Sequence, residues 1–317
     1  QAPSGRGPWL AMNILVMGSG GIGGYFGAKL CRAGEAVTFV ARGAHLEAIR
    51  KNGLRIKSAA NGEFVVACPA TDDPGSAGVA DLILFCVKSY DTEAAAQAIR
   101  PAVGPDTAVL CLQNGVDNEE KLSGIVGPGH ILGGAAQVFA TIEAPGVIAH
   151  AFGGRIVFGE LDGADTPRAQ GILRVLQRAG VPVEQSPRIR QVLWEKYLFI
   201  AAQAGMTALT RCPTGVIRSI PETRRMYRLI VEELAALAKA AGVELPPGIV
   251  DERMAFVDTL PPSNTSSLYY DLTHGRRLEL EALQGYAVRL GEKHGVPTPV
   301  LFSVYAALRP YRDGAPA

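Results

Sequence analysis

Over the first part of the chain, short and continuously apolar runs alternate with helically periodic stretches. The runs are Asn13–Met17, Ala36–Ala41, Asp81–Val87, Ala108–Leu112 and His130–Gly134, with helical patterns over Ala94–Ile99 and Asn118–Leu122 between them. Strands that are apolar throughout and separated by helices predict a parallel sheet covered on both faces. Gly146–His150 and Arg155–Phe158 read as two further strands turned at Gly153-Gly154, and Gly171–Arg178 as an amphipathic helix. After Val183 the texture changes to almost wholly helical. Thr223–Ala241 places Met226, Leu229, Ile230, Leu234, Leu237 and Ala241 at a 3.6-residue period. Two further long helical segments, Asn264–His294 and Thr298–Leu308, follow proline-rich joints.

The expected architecture is therefore an α/β, Rossmann-type doubly wound N-terminal domain over residues 12–186 and an all-α C-terminal domain over 187–317. Residues 1–11 lack the basic-then-apolar layout of a signal peptide and read as a disordered extension. The apolar stretch Tyr197–Leu209, interrupted by Gln203, is shorter than the ~18 residues a membrane span needs and reads as a buried helix.

Composition adds mainly exclusions. A chain of 317 residues, 48% apolar and 19% charged, can build two ordinary globular cores. A net charge of +1 gives no reason to expect nucleic acid or an anionic membrane as partner. The five cysteines (Cys31, Cys68, Cys86, Cys111 and Cys212) show no metal-type spacing. They read as reduced core residues of a cytoplasmic protein, with no metal site.

The first run leads directly into Gly18-Ser19-Gly20-Gly21-Ile22-Gly23 and then into the helical pattern of Gly24–Ala33. In that strand–turn–helix context Gly18 allows the tight turn, Gly20 admits a pyrophosphate, and Gly23 lets the helix pack on the strand. The helix N-terminus offers unpaired N–H groups and partial positive charge to the phosphates. The end of the second strand selects the dinucleotide. An NAD site places a carboxylate about 20 residues past the glycines, but here Val40-Ala41 is followed by Arg42. A guanidinium suits a 2′-phosphate, so NADPH/NADP+ is the expected cofactor. Lys88 and Gln113-Asn114-Gly115 also end apolar strands, on the edge where such sheets bind ligands; polar strand ends are also common without any role.

In the helical half, Lys196 shares a face with Val192, Ile200 and Ala204. Such a lysine is either desolvated, with a lowered pKa suited to proton donation, or snorkels at a helix edge. Asn264, Asp271, Gly275 and Glu279 would fall within about 80° of arc on one helix, lining a pocket or facing water.

Taken together, these residues resemble the ketopantoate reductases (2-dehydropantoate 2-reductases), over nearly the whole chain from Met12. The resemblance is carried by the glycine turn, Arg42, Val87-Lys88, Gln113-Asn114-Gly115, Pro145-Gly146, Leu193-Trp194-Glu195-Lys196, Cys212-Pro213-Thr214-Gly215 and Ser266-Ser267…Asp271…Glu279. It implies NADPH-dependent reduction of a 2-oxo acid to a 2-hydroxy acid, first of all 2-dehydropantoate to pantoate in pantothenate biosynthesis. Lys196 would be the catalytic acid and Glu279 the catalytic carboxylate holding the substrate hydroxyl. Lys88 and Asn114 match contacts at the cofactor and substrate, and Asn264 with Ser267 matches positions used for the substrate carboxylate. A homodimer is compatible with the chain.

One departure from the family pattern bears on the substrate. Where characterised members carry asparagines that hydrogen-bond it, this chain has Ile200, Ala204 and Thr214, with Gln203 as a partial replacement. A less polar 2-oxo acid is therefore an alternative substrate. A β-hydroxyacid dehydrogenase and a non-catalytic NADPH sensor are the other readings; Ser266-Ser267…Glu279 speaks against the first, Lys196 with Glu279 against the second.

Overall fold

In this computed structural model, which describes residues 11–60 and 62–316, β1 (Asn13–Met17) is buried from Ile14 onward and lies inside a ten-stranded sheet. The expected extension over residues 1–11 falls, but for residue 11, outside the described residues. The chain forms two compact units, one running to Gln113 together with Asn118–Ile189, the other Asn114–Asp117 together with everything from Arg190.

In the first unit β1 is followed by α1 (Gly21–Arg32), β2 (Ala36–Val40), α2 (Gly43–Asn52), β3 (Leu54–Ser58), β4 (Gly62–Val66) and β5 (Ala70–Thr71). Then come β6 (Ala80–Phe85), α3 (Thr92–Ile99), β7 (Val103–Cys111) and α4 (Asn118–Val126). β8 (Ile131–Ala144), β9 (Val147–Glu160), α5 (Pro167–Arg178) and β10 (Val183–Gln185) complete it. The sheet order is β4-β3-β9-β8-β7-β6-β1-β2-β5, with β10 beside β9. Successive residues feed opposite faces, as the two-residue period of a strand requires. Ile14, Val16, Leu82, Leu84 and Leu110 join one apolar cluster with Phe26 and Leu30 of α1 and Ile172 of α5. Leu15, Met17, Ile83, Phe85 and Val109 join another with Ala96 and Ile99 of α3 and Leu122 of α4. Both faces are covered, which is why these strands read as unbroken apolar runs.

The sheet is mixed rather than wholly parallel: β8 pairs with β9, and β3 with β4, antiparallel. The two strands expected on either side of Gly153-Gly154 are one, β9, pairing along its length with β8. The glycines make a bulge there instead of a turn: both have positive φ (82° and 117°), and the register shifts at Gln137/Val138. The hairpin turn is at Pro145-Gly146, between Ala144 and Val147. The β3–β4 hairpin was not legible as strands, although Leu54, Ile56 and Ser58 alternate buried with exposed Arg55 and Lys57.

In the second unit α6 (Ile189–Thr210) is followed by α7 (Thr214–Ser219), α8 (Pro221–Ala240), α9 (Ile249–Thr259) and α10 (Ser267–Thr273). A π-helical turn (Glu281–Gly285) leads into α11 (Tyr286–His294), and α12 (Pro299–Leu308) closes the order. The expected buried helix is found, with Tyr197, Leu198, Ala201, Ala202 and Met206 of α6 at 0% exposure. The stripe on α8 is rotated slightly from expectation. Tyr227, Ile230, Val231, Leu234 and Leu237 are buried, while Leu229 is exposed. The single helix expected across Asn264–His294 is two. It breaks where Gly275 takes φ 62° after α10 has ended at Thr273, so the proposed polar arc from Asn264 to Glu279 does not exist as a helical face. No described helix is long and apolar enough to cross a membrane.

The cysteine expectation needs one correction. Cys31, in the last turn of α1, is disulfide-bonded to Cys68 in the segment entering β5, with their Cα atoms 6.8 Å apart. The two are 37 residues apart, so only the folding of α1 against the sheet edge brings them within reach. Cys86, Cys111 and Cys212 are free thiols. Thiol titration of denatured, non-reduced protein should therefore find three reactive groups out of five, and all five after reduction.

Candidate active site

β1 ends at Met17 and α1 begins at Gly21, so Gly18, Ser19 and Gly20 make the turn between them. Gly18 adopts φ 97°, and a Cβ there would lie 2.8 Å from the Val87 amide nitrogen. The backbone following β6 thus runs directly against the turn and brings the half-buried Lys88 to the same edge of the sheet. The Ser19 amide (3.1 Å) and hydroxyl (2.9 Å) both donate to the Val40 carbonyl, joining the turn to the end of β2 and so to Arg42. Arg42 is exposed and occupies the N-cap of α2.

At the first residue of α1, a Cβ on Gly21 would come within 1.9 Å of the Ala140 carbonyl oxygen of β8. A Cβ on Gly23 would come within 2.1 Å of the Gly18 carbonyl, and half-buried Ile22 stands between these two close approaches. Gly20 differs: a Cβ there would meet nothing within 4 Å. It is also the N-cap of α1, and no side chain caps the helix. Open space therefore lies beside a helix start that carries partial positive charge and spare N–H donors, which suits a phosphate group. The turn is thus a cradle that would fit the phosphates of a nicotinamide dinucleotide.

Two residues hold the surroundings of the turn, Gln113, already singled out at its strand end, and His45, which the sequence did not mark. Gln113 donates from Nε2 to the Val87 carbonyl (2.8 Å) and to Thr92 Oγ1 (2.9 Å), tying the ends of β6 and β7 together. His45, near the start of α2, has Nε2 2.8 Å from the Ser19 carbonyl, and its Nδ1 accepts from the Gly146 amide at 3.0 Å. The only sequence signal for His45 was its nearness to Arg42, because its other partner is 101 residues away. Cys86 and Cys111 lie close by, but burial pushes both thiols up, so neither is a thiolate at neutral pH.

In the helical unit Lys196 is half-buried on α6 with half-buried Val192 and Ile200 and buried Ala204. Gln203 and Thr207 continue its face, at seven and eleven residues' distance along the helix. Gln203 Nε2 donates to Thr214 Oγ1 (2.6 Å), whose hydroxyl donates to the Asn264 carbonyl (2.9 Å). Thr207 Oγ1 lies 2.7 Å from Ser266 Oγ, which also accepts from the Tyr269 amide and caps α10. The face that carries Lys196 is thereby bonded to both segments that carry the candidate substrate residues. Ser267 is exposed as the first residue of α10, next to the capping Ser266. Glu279 is 6% exposed and sits just before the helix that includes the π-helical turn. Asn114 is half-buried, in the short segment whose Val116 packs against the helical core. Gln203 Oε1 is buried with no hydrogen-bond partner. Because the Thr214 hydroxyl spends its proton on a carbonyl, it can only accept from Gln203, which fixes that amide's orientation. Among the described residues no group of acidic, His and Cys side chains could hold a metal ion.

Residues 14–163 match the ketopantoate reductase PanE/ApbA family, and residues 188–312 match its C-terminal domain. A 2-dehydropantoate 2-reductase of Halobacterium salinarum is 32% identical over 306 residues, covering 96% of this chain and 100% of that protein. The crystal structure of a PanE/ApbA family ketopantoate reductase from Ralstonia eutropha superimposes with a TM-score of 0.88 at 33% identity, covering 94% of this chain and 98% of that one. A D-mandelate dehydrogenase bound to NADH and anilino(oxo)acetate shares the fold, with a TM-score of 0.86 at 24% identity, covering 94% of this chain and 98% of that one.

The two neighbouring glycines make a direct test of the turn. Gly21→Ala should destabilise the protein by about 1–3 kcal/mol through forced overpacking against Ala140. Gly20→Ala should cost no more than about 1 kcal/mol, as an N-cap change. Thermal denaturation of both variants without ligand checks this order.

Proposed function

The chain belongs to the PanE/ApbA ketopantoate reductase family, and from that premise we propose that it reduces a 2-oxo acid to the 2-hydroxy acid with NADPH. The substrate to test first is 2-dehydropantoate, which would place the protein in pantothenate biosynthesis. The observation that carries the reading is Lys196. It is a half-buried cation on a largely apolar helical face, and that face is bonded through Gln203 and Thr207 to Thr214, Asn264 and Ser266.

In this reading the amides of Gly18–Gly23 and the start of α1 hold the pyrophosphate, and Arg42 holds the 2′-phosphate. The nicotinamide ring, when bound, supplies a hydride to the carbonyl carbon of the substrate. Lys196 donates a proton to the carbonyl oxygen, its positive charge stabilising the alkoxide as it develops, and then recovers a proton from solvent. Glu279 holds the substrate hydroxyl, while Asn264 and Ser267 hold the carboxylate. Lys88 and Asn114 supply polar contacts to the cofactor and substrate.

A second reading, reduction of a less polar 2-oxo acid, is favoured by Ile200 and Ala204 on the Lys196 face. The fold shared with the D-mandelate dehydrogenase that binds anilino(oxo)acetate is consistent with it.

A panel of 2-oxo acids assayed with NADPH and NADH decides between these substrates: a preference for 2-dehydropantoate supports the first, and a preference for an aryl or alkyl 2-oxo acid the second. Lys196→Ala should lower kcat by about 10²–10⁴-fold while the NADPH dissociation constant stays unchanged; full activity would remove Lys196 from the chemistry. Arg42→Ala should weaken NADPH and spare NADH, and an unchanged ratio would remove it from the cofactor site.

A further inference from the structure

We infer that His45 is a positioning residue for the dinucleotide: it orients the Ser19–Gly20 peptide so that the Gly20 amide faces the open side of the turn. The inference rests on reading the glycine turn as the nicotinamide dinucleotide site. It concerns the part of the cofactor common to NADPH and NADH.

The argument starts from the two ring nitrogens. The Gly146 amide can only donate, so His45 Nδ1, 3.0 Å away, accepts and carries no proton. The proton is therefore on Nε2, which donates to the Ser19 carbonyl at 2.8 Å. The ring is held in one orientation by two backbone groups, one on each side of it.

The consequence lies across the peptide plane. The described peptide bonds are all trans, so the Gly20 N–H projects opposite to the Ser19 C=O. Pinning that carbonyl to the His45 ring turns the Gly20 amide away from the ring. Ser19 is held from its other end as well, its amide and hydroxyl both bonded to Val40. Gly20 itself has no such restraint from packing, since a Cβ placed on it touches nothing within 4 Å. Ser19 is tied to Val40 and the Gly20 carbonyl to the Gly24 amide (2.7 Å), so without His45 it is the Ser19 carbonyl between them that would lose its hydrogen bond. An amide must be held in place before binding if it is to strengthen anion binding, because ordering it afterwards costs affinity.

His45 also links the turn to the β8–β9 hairpin through Gly146, while Ala140 of the same hairpin contacts Gly21. Its role is thus separable from that of Arg42, which stands three residues earlier at the same helix start.

The test is NADPH and NADH binding, followed by cofactor fluorescence, for wild type, His45→Phe and His45→Gln, with steady-state kinetics and melting temperatures alongside. His45→Phe should raise the dissociation constants of NADPH and NADH by the same factor, about tenfold, for loss of one hydrogen bond's restraint. Its kcat at saturating cofactor should stay within about twofold of wild type. His45→Gln, which retains one acceptor and one donor, should recover most of the affinity. If wild type binds neither dinucleotide, the reading of the turn fails. If wild type binds and His45→Phe binds equally well, or loses NADPH alone, or only melts lower, the positioning role is overturned. Should His45→Phe not fold, His45→Leu takes its place under the same outcomes: binding equal to wild type, or loss of NADPH alone, would overturn the positioning role.

Discussion

The carbonyl oxygen of Val40 is the fixed point of the N-terminal unit. It receives both the amide and the hydroxyl of Ser19, and so couples the end of β2 to the turn between β1 and α1. The rest of the turn follows from that anchor and from the absence of side chains on either side of it. Val87 backbone occupies the space beside Gly18, and the Ala140 carbonyl the space beside Gly21. The turn is held by its neighbours nearly everywhere except at Gly20, where the space is open. A phosphate site of this kind works because its donors are already in place, and here the order comes from backbone contacts with β2, β6 and β8.

The helical unit achieves a comparable order with side chains. α6 is largely apolar beyond its first two turns, and of its polar residues Lys196, Gln203 and Thr207 fall in line, the last two spent on bonds to Thr214 and Ser266. These bonds replace the missing amides only in part. A glutamine whose nitrogen is committed offers one buried acceptor, Oε1, where several amides would offer both donors and acceptors.

Much of this was legible in the sequence wherever the signal was local. The runs Asn13–Met17 and Ala108–Leu112 announced strands covered on both faces, and the glycine spacing announced the turn. The long hairpin was misread because Gly153-Gly154 looks the same whether it turns a chain or bulges one. Only the pairing of β9 with β8 along its whole length distinguishes the two. The polar arc from Asn264 to Glu279 was an artefact of extending one helical period through Gly275, where the backbone turns left-handed.

By itself the sequence determined the class of the fold and the family, because each is written in residues a few positions apart, and it nominated two candidate sites. Tertiary structure decided what holds those candidate sites in shape. His45 meets Gly146 across 101 residues, Cys31 meets Cys68 across 37, and Thr207 meets Ser266 across 59. No periodicity records such meetings, since they depend on how the sheet and helices bring distant segments together. The glycine turn is local in sequence, but its rigidity comes from contacts distant along the chain.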